Sequence, residues 1–153
     1  MPKLCPCTSG LPYATCCAPL HKGEREAEAP EALMRSRFAA FALADAEYLW
    51  RTLHPDHEDR ALPREQVVQA LKASARGLKF MRLSILDAKG PRVLFHAAVF
   101  EKGKDRSFVE LSTFARDGAG WHYLSGDARA PGPAAELTAL TIETFAAGGS
   151  ADG

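Results

Sequence analysis

The sequence predicts an α+β domain, with helices first and an antiparallel sheet second, on three observations. Apolar residues recur at helical steps over residues 30–53 and again over 63–77. After Gly77 the period changes to strict alternation in four runs separated by short glycine-bearing links. All four cysteines fall within the first seventeen residues, so whatever they do is local to one small segment.

Residues 1–24 are rich in Cys, Pro, Gly, Ser and Thr and too poor in large apolar groups to fold unaided, and EREAEA (24–29) reads as a solvated connector. Pro30 suits the first helical position and Glu31 complements the amide end. Met34, Phe38, Phe41 and Tyr48 then mark an apolar face, with a break expected near Asp45 and a stop before Pro55. A second helix starts at Pro63, runs through Val67, Val68 and Leu71, and ends at Gly77. Residues 78–87, 92–101, 107–116 and 121–125 read as strands, joined through AKGP, KGKD and DGAG. Links this short favour an antiparallel meander. A weak helix is expected over 134–147. The expected division is a knuckle at 1–24, a body at 25–147 and a flexible tail at 148–153.

Composition narrows the function classes. Nineteen acidic and nineteen basic residues give a formal net charge of zero, which removes the basic surplus that non-specific nucleic-acid binding needs. No apolar run approaches the length of a membrane span, and Lys3 is followed by cysteines rather than by an apolar leader. The expected location is the cytoplasm, where thiols serve as metal ligands or redox groups more often than as structural disulfides.

Cys5, Cys7, Cys16 and Cys17, spaced C-x-C-x₈-C-C, supply the four thiolates that tetrahedral zinc takes. Pro6 would hold the first pair and Gly10 would reverse the chain between the pairs. One structural zinc would order a segment that has almost no core of its own. A vicinal Cys16–Cys17 redox pair is the rival reading, and His21 is the substitute ligand should Cys17 fall short.

The stretch CPCTSGLPYATCC resembles the SEC-C motif, a short zinc-binding segment best known as a tail on the preprotein-translocase ATPase, where it contacts chaperone and ribosome. The run ALMRSRFAAFALADAEYLWRTLHPD (32–56) resembles the YchJ-like family of uncharacterised bacterial proteins, and the strands GLKFMRLSILD and FVELSTFARDGAGWHYLSGD share that family's character. The resemblance implies a nuclear-transport-factor-two-like body, a cone-shaped curled sheet wrapped by N-terminal helices around a cavity. It also makes a homodimer an expectation. Three departures stand out: Thr8 replaces the usual Gly after the second cysteine, Leu111 stands where many relatives carry Arg, and AAELTALTIETFAAGG replaces the second SEC-C motif that some relatives carry.

Alternation places Phe108, Glu110, Ser112 and Phe114 on one face of the third strand, and Leu94, His96, Ala98 and Phe100 on one face of the second. Should these faces line one cavity, His96 and Glu110 form a candidate acid/base pair. Arg35 is expected to meet an acid such as Glu110 or to bond a carbonyl, and Arg37 to be solvated, while the family resemblance implies that one of the two projects into the cavity. The loop HPDHED (54–59) reads as a solvated helix exit with His54 bonding a terminal carbonyl, or as a second metal site. Three functions follow: a zinc-stabilised accessory protein with a protein partner, a small-molecule binder or enzyme using Arg35, His96, Glu110 and Ser112, and a thiol-redox or metal-handling protein. The closed Cys₄ set leaves no open metal position, which favours the first.

Overall fold

The computed structural model describes residues 3–118, 120–132 and 134–151. The chain opens with a narrow hairpin in which Leu4 faces Pro12, and Cys5 N donates to Leu11 O at 2.8 Å. A 3₁₀ turn at Tyr13–Thr15 and a short helix α1 (Ala18–His21) follow. Helices α2 (Pro30–Ala42) and α3 (Ala46–Arg51) are separated where the sequence broke its pattern: Ala44 takes a φ of 57°, and the Asp45 carboxylate caps α3 by accepting from Tyr48 N at 3.1 Å. Helix α4 spans Arg64–Gly77.

Strands β1 (Lys79–Lys89), β2 (Arg92–Glu101), β4 (Phe108–Asp117) and β5 (Gly120–Arg129) form an open antiparallel meander in the order β1-β2-β4-β5, and the two-residue β3 (Lys104–Asp105) extends the end of β2. Gly90, Gly103 and Gly118 take positive φ in the three links, which a side chain would make costly. Register shifts in β1 at Phe80/Arg82 and Ile85/Asp87, and between β4 and β5 at Thr113/Phe114, are the bulges that bend such a sheet.

The alternation sorts the sheet's two faces. Val93, Phe95, Ala97, Val99 and Phe114 pack with Leu33, Met34, Phe38 and Leu49 of α2 and α3. Leu94, Val109 and Leu111 point to the other side, where Ile142 and Phe145 of helix α6 (Ile142–Ala151) cover them. The single C-terminal helix expected over 134–147 is instead a short α5 (Ala134–Leu137) followed by α6. The residues up to Ala151 expected in the tail are therefore helical.

Helix α2 is buried on nearly all sides rather than along one stripe: Leu33, Ser36, Arg37, Phe38, Ala39 and Ala40 are all buried. The cause is the knuckle. Ala39 packs against Cys5, Cys7 and Cys17, so the side of α2 turned away from the sheet is covered as well.

Candidate metal centre and cavity

The four cysteines come together at the tip of the hairpin and the start of α1. Their Sγ atoms all lie within 4.8 Å of one another. Cys7 and Cys16 are 3.6 Å apart and Cys16 and Cys17 are 3.9 Å apart. Four thiolates about 2.3 Å from a tetrahedral zinc would sit about 3.8 Å from each other, so both spacings fit that ion. Cys5, Cys7 and Cys17 are buried and Cys16 is half-buried, and all four are free thiols. A hydrogen bond from Cys17 draws the Cys7 thiol down to about 4. Burial raises Cys5 to about 11, while the bond to Cys7, and burial after it, push Cys17 up. These shifts favour the thiolate at Cys7 and the thiol at Cys5 and Cys17, whose protons a thiophilic cation would displace.

His21 stands outside this cluster. Its Nε2 donates to Ser36 O at 2.8 Å, so its Nδ1 accepts from Tyr13 Oη at 2.8 Å, and neither nitrogen remains for a metal. The histidine expected as a substitute ligand instead fastens the knuckle to α2. Arg35 also serves the knuckle: its Nη1 donates to Cys7 O at 3.4 Å, the carbonyl bond expected as the alternative, and the acid it meets is Glu31 one turn back rather than Glu110. Thr8 completes the attachment. Its φ is 64°, and its hydroxyl donates to Leu83 O at 3.2 Å and accepts from Leu83 N at 3.1 Å, matching both backbone groups of one residue on β1.

A cavity of about 390 Å³ opens between α2, α4 and the helix-covered face of the sheet. Phe38, Phe41, Phe80, Phe95 and Phe108 supply most of its wall, and Arg37, His57, Glu58, Asp59, Glu110 and Tyr123 supply polar groups. Glu110 lines the cavity as the alternation of β4 requires. Its Oε2 accepts from Ser112 Oγ at 2.5 Å and from Tyr123 Oη at 2.8 Å. Gly126, opposite Ser112 on β5, makes room for this pair: a Cβ there would overlap Tyr123 Oη and Glu110 Oε2.

His96 is not in the cavity. Register pairs it with Val109 and pairs Phe95 with Glu110, so His96 faces the α6 side, and the expected acid/base pair does not form. Arg37 takes the place given to Arg35. It is 5% exposed, its Nη1 donates to Leu49 O at 2.9 Å and Thr52 Oγ1 at 2.6 Å, and its guanidinium lies 4.7 Å from the centre of the Tyr123 ring. Burial lowers its pKa, with Tyr123, Tyr48 and Glu110 opposing the shift. The sequence held a signal for this: Met34, Arg37, Phe38 and Phe41 follow the i, i+3, i+4, i+7 rule, so Arg37 rides the apolar stripe.

The HPDHED loop forms no cation cluster; among the described residues only the cysteines do. His54 Nδ1 accepts from Asp56 N rather than bonding a helix carbonyl, and His57 Nδ1 caps a 3₁₀ turn at Glu58–Ala61 by accepting from Asp59 N. The backbone on either side of Leu53 joins β5: Tyr123 N donates to Thr52 O at 2.7 Å and His54 N to Tyr123 O at 2.8 Å.

A SEC-C hairpin docked on a helix-covered meander defines a class, an NTF2-like body bearing a cysteine knuckle. A family model described as "YchJ, middle NTF2-like domain" matches residues 29–126, and one described as the SEC-C motif matches residues 1–19. The chain belongs to the YchJ family, also called UPF0225. It is 46% identical over 125 residues to a UPF0225 protein of Deinococcus radiodurans, covering 80% of this chain and 87% of that one. It is 38% identical over 127 residues to the UPF0225 protein YchJ of Shigella dysenteriae, covering 82% and 84%. The solution structure of a SEC-C motif containing protein from Rhodopseudomonas palustris is similar at a TM-score of 0.70 and 36% identity, covering 84% of this chain and 99% of that one. A SEC-C motif containing protein from Psychrobacter arcticus shares the fold at a TM-score of 0.63 and 22% identity, covering 84% of each chain. Among the described residues no helix is long and apolar enough to cross a membrane.

Proposed function

We propose that the cysteine cluster holds one zinc ion in a structural role, and that the protein is an accessory protein that binds a protein partner through the outer face of the knuckle. The observation that carries the metal reading is the approach of four sulfurs to within 4.8 Å, with three of them buried and no other ligand type among them. With all four positions taken by protein, the ion fixes shape and leaves no site for water or substrate. The cysteines would bind it, and Thr8, Arg35 and His21 carry that rigidity into β1 and α2. Leu4, opposite Pro12 in the hairpin, and Leu11, beside Pro12, are 65% and 55% exposed, and such apolar side chains on a rigid support suit a protein surface.

Native mass spectrometry of protein purified without added metal tests the first half. The expected mass carries one zinc per chain, and Cys→Ser at position 5, 7, 16 or 17 lowers occupancy while His21→Asn keeps it. Reduced protein without metal overturns the reading. For the second half, replacing Leu4 and Leu11 together by Ser is expected to leave zinc content and melting unchanged and to abolish co-purification of the partner. A partner retained by the double variant places its site elsewhere.

A further inference from the structure

The cavity carries an inference that goes beyond the zinc reading and does not depend on it. Both protein hydrogen bonds of Arg37 leave from Nη1, so Nη2 and Nε have no partner among the described residues, although the side chain is 95% buried by its 5% exposure. Both bonds accepted by the Glu110 carboxylate fall on Oε2, which leaves Oε1 without one among the described residues. The two groups flank the same ring: the Arg37 guanidinium stacks over Tyr123 and Glu110 accepts from its hydroxyl. A strong donor and a strong acceptor are thus left open beside a wall of phenylalanines. These atoms are not sealed in the interior, where among the described residues only Trp121 Nε1 lacks a partner, so they remain reachable by a molecule that enters the cavity.

Charge decides what fits. Arg37 and Glu110 place opposite charges on the cavity wall. Glu58 and Asp59 also line it, but Glu58 is exposed and Asp59 half-exposed, so water screens both, and burial lowers the pKa of His57, which favours its neutral form. An anionic ligand would gain from Arg37 and be opposed by Glu110, and a cation would meet the reverse. A charged head would in addition lose its hydration among aromatic side chains. We infer that the cavity binds a small uncharged aromatic molecule with an amide-type head, whose carbonyl accepts from Arg37 and whose N–H donates to Glu110. The body of such a molecule lies against Phe38, Phe41, Phe80, Phe95 and Phe108, and a volume of about 390 Å³ admits one ligand of that size.

Amide ¹⁵N–¹H titrations of the zinc-loaded full chain with benzamide, benzoate, benzylamine and phenylalanine test the inference. Benzamide is expected to perturb residues around Tyr123 and to bind about tenfold tighter than the other three. Glu110→Gln keeps the size of the side chain and removes the opposing charge, so in that variant benzoate is expected to overtake benzamide. A merely structural role for Glu110 predicts no such reversal. The inference is overturned if no probe binds up to about 10 mM, if benzoate, benzylamine or phenylalanine matches benzamide in the wild type, if the perturbed residues lie outside the cavity, or if Glu110→Gln leaves the order unchanged.

Discussion

Thr8 gives a prediction whose sign can be worked out from two opposing effects. A β-branched residue at a φ of 64° is in the left-handed region, at a cost of about 1–2 kcal/mol. Against this stand two hydrogen bonds to Leu83, at 3.1 and 3.2 Å, each worth about 1 kcal/mol when half-exposed as these are. Thr8→Val keeps the strained backbone and loses both bonds, a net loss of about 2 kcal/mol. Thr8→Gly also loses both bonds but relieves the backbone, and part of that relief is cancelled by the larger freedom of glycine in the unfolded chain, which leaves a loss of about 1 kcal/mol. For a chain of 153 residues the corresponding drops in Tm are about 4–8 °C for Val and 2–4 °C for Gly. Thermal unfolding with saturating zinc reads the order wild type, Gly, Val, and hydrogen exchange at the Leu83 amide should quicken in both variants. A Thr8→Gly protein more stable than the wild type, or a Thr8→Val protein of equal stability, would refute the assignment of the hydroxyl as a tie between knuckle and sheet.

Three further outcomes are expected. His21→Phe should leave the proposed zinc content unchanged yet cost about 1–2 kcal/mol, because Ser36 O and Tyr13 Oη both lose a half-buried partner; equal denaturation midpoints would show that the ring does not fasten the knuckle. Gly126→Ala drives a methyl against the Tyr123–Glu110 pair, coming within 2.7 Å of Glu110 Cδ, and should cost about 1–3 kcal/mol in urea unfolding, only part of it recovered when Tyr123→Phe removes the hydroxyl and leaves the carboxylate in place. Burial lowers the pKa of His57 and of His96 from 6.5, so the unfolded chain binds more protons between the folded values and about 6.5, and stability falls as pH drops through that window. The double variant His57→Asn, His96→Asn should flatten this slope, and an unchanged slope assigns it to other groups.

The meander was legible because its links announce themselves: AKGP, KGKD and DGAG each place a glycine where φ is positive, and period two does the rest. Asp45 likewise marks the break between α2 and α3 in its role as a cap. Within β4 the alternation sorted Glu110 and Val109 correctly onto opposite faces. It could not relate one strand's faces to the next. Residues 102–107 between β2 and β4 contain a turn and the extra β3, so the link does not fix register, and a one-residue slip exchanges His96 for Phe95 opposite Glu110. Arg37 was misread for a different reason. Charge suggested solvent, whereas its position in the helical stripe, next to Phe38, pointed inward. The role of His21 depended on Ser36 and Tyr13, partners that only the packing of the knuckle on α2 brings together.

Both outer strands of the meander are stitched by chain from elsewhere. On β1 the hydroxyl of Thr8 occupies the free N–H and C=O of Leu83, and on β5 the segment Thr52–His54 runs parallel to Tyr123 and takes both of its backbone groups. An open sheet whose border groups are left bare invites a second molecule to add a strand. The hairpin that gathers the cysteines therefore also shields a border, and under the proposed zinc reading loss of the ion would offer polymerisation a template.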